Sequence, residues 1–139
     1  RESTSNLSNS FIENRCESVS NVNGVGIELA KNVFGFYINR NYFENSFKTV
    51  LKTNGARSVD FSNNTYTDND PTRFGTILIN GGDAIIRNNF SLTGYVLDIT
   101  DNGFCNEVSG NGSLNFSNSV NQNNMGTVNN QYNKKYNYN

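Results

Sequence analysis

The chemistry this chain can offer lies mainly in its carboxylates. Asp60 stands between Val59 and Phe61 in an alternating run, so it points away from the apolar side. Glu44, Asp68, Asp70, Asp83, Asp98 and Asp101 fall on turns or strand faces. Two acids roughly 5 to 9.5 Å apart can cleave a glycosidic bond. The most decorated stretch is "YTDNDPTRFG", Tyr66 to Gly75, which carries the only Pro. Its Tyr66, Asp68, Asp70, Arg73 and Phe74 form a set that grips a sugar, with rings for stacking and charged groups for bidentate hydrogen bonds. The plainer reading of the same residues is a turn, with Arg73 paired to one of its acids. "DND" opens like a calcium loop, but the remaining oxygen ligands are missing, so no metal and no cofactor are expected. Asp98 and Asp101 in "LDITDNG" read either as paired acids or as charge that closes a strand edge. Lys48 and Lys52 in "FKTVLK" read as solvated outward positions. Arg57, Arg73 and Arg87 are the bases an elimination reaction would draw on, and no two obviously share a face.

Composition closes several routes. The chain has no His, which rules out a Ser-His-Asp triad, a Cys-His pair and His-ligated zinc. The formal charge is -1 and the 11 basic residues form no dense patch, so nucleic acid is not an expected partner. No apolar run has the length that crosses a bilayer, and membrane insertion is not expected. Cys16 and Cys105 lie far apart; spacing leaves their pairing open, and two small buried thiols are expected.

Asparagine makes up about a fifth of the 139 residues, which by composition alone reads as disordered. Its placement says otherwise. "FYINRNYFEN", "VDFSNNTYTDN" and "AIIRNNFSL" repeat one phrase: an apolar run, paired asparagines, an aromatic, a polar turn. Ile38, Phe61 and Ile86 correspond, at separations of 61 − 38 = 23 and 86 − 61 = 25 residues. Upstream of the phrases lie "GIELA", "FKTVLK" and "GTILIN", and "GYVLDIT" fits the same slot. Between the two runs, Asn54-Gly55, Asn80-Gly81 and Asn102-Gly103 supply the positive φ of tight turns. A period in the low twenties means a solenoid. The Leu spacing of a leucine-rich repeat is missing, and no 3.6-residue stripe supports helices. The parallel β-helix remains, with about four or five coils of ~22–25 residues stacked about 4.8 Å apart. Asparagines at a recurring corner are expected to form a ladder, and Phe43, Tyr66 and Phe90 a second ladder inside the coil.

Residues 1–112 are assigned to the coils, with "SNSFIEN" as a degraded first copy. Residues 113–139 are an Asn/Tyr-rich segment, expected to be a degraded last coil ("LNFSNSV") or a tail packed along a partner chain. The chain starts at Arg1 without Met or leader, and no capping helix covers either end. A fragment of a longer protein, or ends covered by neighbouring chains, is the expectation.

The pattern in "INRNYFENSFKTVLKTNGARSVDFSNNTYTDN" resembles right-handed parallel β-helix proteins of the pectate-lyase-like type, above all phage tailspikes and neck appendages. The resemblance spans about 24–111. It implies a homotrimer on a virion, folded in the host cytoplasm, that binds a host cell-surface polysaccharide and in the full protein depolymerises it by hydrolysis or elimination. It carries over no catalytic residue, since acidic residues vary among such proteins. Two other readings stand beside it: a β-helical stalk or trimerisation tip without glycan contact, and a secreted bacterial enzyme or adhesin on the same fold. The uncapped ends favour the virion reading, and the long 67–75 loop favours binding over a stalk.

Overall fold

Apolar residues alternate with polar ones in runs of three to eight, and Asn and Gly interrupt every run. Such runs form short strands with one face inward. In a computed structural model, described for residues 6–17, 24–44, 47–67, 77–92, 97–100, 104–114, 120–122, 127–131 and 134–135, the chain is all β. Three parallel sheets run along one axis. Sheet A stacks β1 (Asn6–Ile12), β4 (Val33–Asn39), β7 (Arg57–Ser62), β10 (Asp83–Arg87), β13 (Phe104–Ser109) and β16 (Thr127–Gln131). Sheet B stacks β2 (Arg15–Glu17), β5 (Tyr42–Glu44), β8 (Thr65–Thr67), β11 (Phe90–Ser91), β14 (Gly112–Ser113) and β17 (Lys134–Lys135). Sheet C stacks β3 (Gly24–Ala30), β6 (Phe47–Asn54), β9 (Ile77–Asn80), β12 (Leu97–Thr100) and β15 (Val120–Gln122). This is a parallel β-helix. Its described strands make five coils and the first two strands of a sixth, slightly more than expected. Strands β15, β16 and β17 pair onto β12, β13 and β14, so pairing continues into the polar C-terminal stretch.

The register follows the repeat. Phe11, Ile38, Phe61, Ile86 and Val108 lie one above another on sheet A. The last four are fully buried. "GIELA", "FKTVLK", "GTILIN" and "GYVLDIT" supply consecutive strands of sheet C, with Ile27, Leu51 and Ile77 in line. One element is absent from the sequence reading: the short strand after the paired asparagines, which makes sheet B. It also corrects the expected aromatic ladder. Cys16, Phe43, Tyr66, Ser91 and Ser113 are the inward column of sheet B, while Phe90 pairs with Thr65 and is half-buried on the other face. "NNF" places its aromatic one residue after the corner and "NNTY" two, and a one-residue slip changes faces. The close aromatic contact instead crosses the lumen: Phe43 stacks on Phe61, centroids 6.2 Å apart and planes at 22°.

The corner from sheet A to sheet B is built the same way five times. Its first residue, Glu13, Arg40, Asn63, Asn88 or Gly110, has φ between 53° and 63°. Its second is always asparagine: Asn14, Asn41, Asn64, Asn89 and Asn111. Each Oδ1 from Asn41 to Asn111 accepts two bonds from the preceding coil's asparagine, one from the backbone N–H and one from Nδ2, at 2.9 to 3.1 Å. The Nδ2 of Asn41, Asn64, Asn89 and Asn111 also donates backward, to the carbonyls of Phe11, Ile38, Phe61 and Ile86. The ladder therefore satisfies buried amides that no strand would pair.

Cys16 and Cys105 are free, on different sheets and in different coils. Burial pushes the Cys105 thiol up to about 12, so at neutral pH it is a protonated core filler rather than a nucleophile.

Candidate functional site

A solenoid filled with apolar side chains has only its outer faces for chemistry. Sheet A stands out among them by its exposed apolar side chains. Among the described residues, four of the five exposed large apolar side chains lie on its strands: Ile12, Phe34, Tyr37 and Phe104. Alternation turns Tyr37, Asp60, Ile85 and Glu107 outward in one register column, beside the inward column of Ile38 and Phe61. Tyr37 is 50 % exposed and Phe104 41 %.

The decisive irregularity is in β13. Ala84 faces Cys105 and Ile85 faces Glu107, so Asn106 is an extra residue bulged out of the ladder. Its Nδ2 donates to Asp83 Oδ2 at 3.3 Å, and the Ser58 backbone N–H donates to the same oxygen at 3.2 Å. A depression of about 250 Å³ results, lined by Tyr37, Ser58, Asp60, Asp83, Ile85 and Asn106 among others. Ser58 has φ 53°, a left-handed value uncommon for a non-glycine residue, and this conformation aims its N–H at Asp83.

The two acids of the depression differ. Asp60 is engaged through both oxygens: Arg87 Nη2 donates to Oδ2 at 3.0 Å, and the Ser62 hydroxyl donates to Oδ1. Arg87 also lies 4.0 Å from Glu107. Among the described residues Asp83 has no ion pair, and its Oδ1 accepts no hydrogen bond. A carboxylate oxygen that accepts from no described residue, an amide, an exposed phenol ring and the outward Ile85 suit binding of a polyhydroxylated ring. Bond cleavage by two carboxylates needs a second acid free of such ties.

The other acids are dispersed. Glu44 is bound by Arg15 at 2.6 Å on sheet B. Lys52 sits 3.3 Å from Glu28 on sheet C, and its hydrogen bond, followed by that of Asn54, holds Glu28 below the usual carboxylate range. Asp98 pairs by backbone with Leu78 and Asn121, and Asp101 lies outside the described residues. Of the expected sugar-gripping set, Tyr66 is 2 % exposed on the inward face of β8, so its ring belongs to the core and not to a sugar. Asp68, Asp70, Arg73 and Phe74 lie outside the described residues. Arg57 and Arg87 both come from sheet A strands, at opposite ends. No group of three or more metal-ligating side chains occurs among the described residues. Sequence reasoning named Asp60 and Asp83 separately and missed Tyr37 and Asn106. Alternation with Ile38 could have found Tyr37; the bulge has no comparable signal.

Fold and face together define the class: a parallel β-helix with a polar, aromatic-edged depression on one outer sheet. Comparison with models of known families, with curated proteins and with solved structures found no match.

Proposed function

We propose that this chain is a segment of a polysaccharide-recognising surface protein of the phage tailspike or appendage kind, carried on a virion and directed at a host cell-surface polysaccharide. The observation that carries the reading is the exposed Tyr37 ring at the mouth of a depression whose polar groups converge on one side. Sugars are held in this way, with a C–H face on an aromatic ring and hydroxyls on fixed acceptors and donors. The volume of about 250 Å³ is below the roughly 300–1,000 Å³ of small-molecule pockets. It suits a single ring of a longer chain that continues across the surface.

Affinity electrophoresis through gels containing candidate polysaccharides tests this. The chain is retarded by at least one, and Tyr37→Ala weakens that binding about tenfold, the loss of one aromatic contact of about 1.4 kcal/mol. Retardation unchanged by Tyr37→Ala removes the site. The reading includes a homotrimer, for which light scattering gives three times the 15.5 kDa chain mass; a folded monomer moves the secreted enzyme or adhesin ahead. The stalk reading draws on the unbroken asparagine ladder, which stiffens the rod whether or not a sugar binds.

A further inference from the structure

The charges around the depression narrow what it can hold. Its lining carries two acids, Asp60 and Asp83, and no base, while Arg87 beside it lies 3.0 Å from Asp60 and 4.0 Å from Glu107. Arg87 is spent on Asp60 and Glu107. Arg57, next to Ser58 on β7, does not line the depression. Among the described residues Asp83 meets only neutral donors, the Ser58 N–H at 3.2 Å and the Asn106 amide at 3.3 Å, both on Oδ2. Among the described residues its Oδ1 accepts from no donor and neither oxygen meets a counter-ion.

We propose that this depression selects an uncharged sugar ring, with Asp83 Oδ1 accepting from its hydroxyls, and rejects uronates, sialates, and sulfated or phosphorylated sugars. The inference rests on the polysaccharide reading above and adds the substrate class. An ionised carboxylate only accepts hydrogen bonds, so the ligand must donate there, which a hydroxyl does and a sugar carboxylate cannot. An anionic sugar stacked on Tyr37 would meet Asp83 with no cation between them, and like-charge contact in a part-buried site is strongly disfavoured. The bulge is the specificity device. It brings Asn106 onto Asp83 Oδ2, so that oxygen is occupied and Oδ1 is left for the ligand.

The test is a glycan array carrying neutral, sialylated, uronate-containing and sulfated glycans, probed with the wild-type chain and with Asp83→Asn, Asp83→Ala and Tyr37→Ala. Asp83→Asn keeps an oxygen for Ser58 and Asn106, so the fold persists, and an unchanged melting temperature verifies it. The expected result is binding confined to neutral glycans, weakened at least about fivefold by Asp83→Asn and further by Asp83→Ala, the difference between a charge-assisted and a neutral hydrogen bond. Asp83→Asn should also raise the signal of acidic glycans relative to neutral ones. Preference of the wild type for acidic glycans, lost with Tyr37→Ala, overturns the substrate class and leaves the polysaccharide reading standing. Binding to no glycan overturns both, as does binding that none of the three variants alters.

Discussion

Asn64→Ala lowers the stability of the chain by about 3–5 kcal/mol, more than any single exposed substitution. The side chain lies at the centre of the ladder and is 1 % exposed. Its Oδ1 is the acceptor for the Asn41 backbone N–H and the Asn41 amide, at 2.9 and 3.0 Å. Its Nδ2 donates to Ile38 O and to Asn89 Oδ1. Alanine removes all four bonds at once and leaves a buried backbone N–H with no acceptor, each orphaned group costing about 1–3 kcal/mol. The control is Asn14→Ala at the first corner, where the side chain donates two bonds and only part of it is buried. That change costs about 1 kcal/mol. Urea midpoints of the two variants decide the matter: equal losses would mean that the ladder is ornament and strand pairing alone holds the coils.

The second large effect is at Gly82. With φ +81° it occupies a backbone conformation that side chains resist, and a Cβ there would overlap the Ala56 carbonyl oxygen and approach the Gly55 carbonyl carbon to 2.8 Å. The same Ala56 carbonyl accepts the Asp83 N–H at 3.1 Å, so it cannot move away without breaking the bond that starts β10. Gly82→Ala therefore costs about 3–5 kcal/mol, from left-handed strain together with a displaced coil. It also shifts Asp83, the next residue, so the proposed sugar binding is expected to weaken even below the melting temperature. Gly81→Ala is the comparison. Its Cβ meets nothing closer than 3.5 Å, and only the strain at φ +70° applies, about 1–2 kcal/mol. Thermal melts of both variants give the result. A Gly82→Ala chain as stable as Gly81→Ala contradicts the packing described for this corner.

These two positions also mark what the sequence made legible. The ladder was readable because asparagine recurs where the period places a corner, and Ile38, Phe61 and Ile86 were readable because apolar spacing fixes which face is inward. The division of labour within the pair of asparagines was not. Glu13, Arg40 and Gly110 fill the left-handed position as Asn63 and Asn88 do, and only the second residue must be asparagine. Phe90 went to the wrong column because periodicity carries no information about a one-residue shift in a two-residue strand. Asp60 and Asp83 were both recognisable as outward acids. Their meeting depends on the register between β7 and β10 and on the bulge at Asn106, two tertiary facts that no local pattern encodes. Tyr66 was given two roles by the sequence, and burial assigns it the interior one.

The most direct test of the central claim, that the outer face of sheet A holds the sugar, is hydrogen exchange of the intact chain with and without the neutral oligosaccharide that gives the strongest array signal. The strand segments that line or flank the depression carry backbone amides whose protection reports binding there. Slower exchange confined to residues 58–60, 83–87 and 104–107 is the predicted result. Slowing confined to residues 67–75, with sheet A unchanged, would place the sugar on that stretch instead and contradict the account.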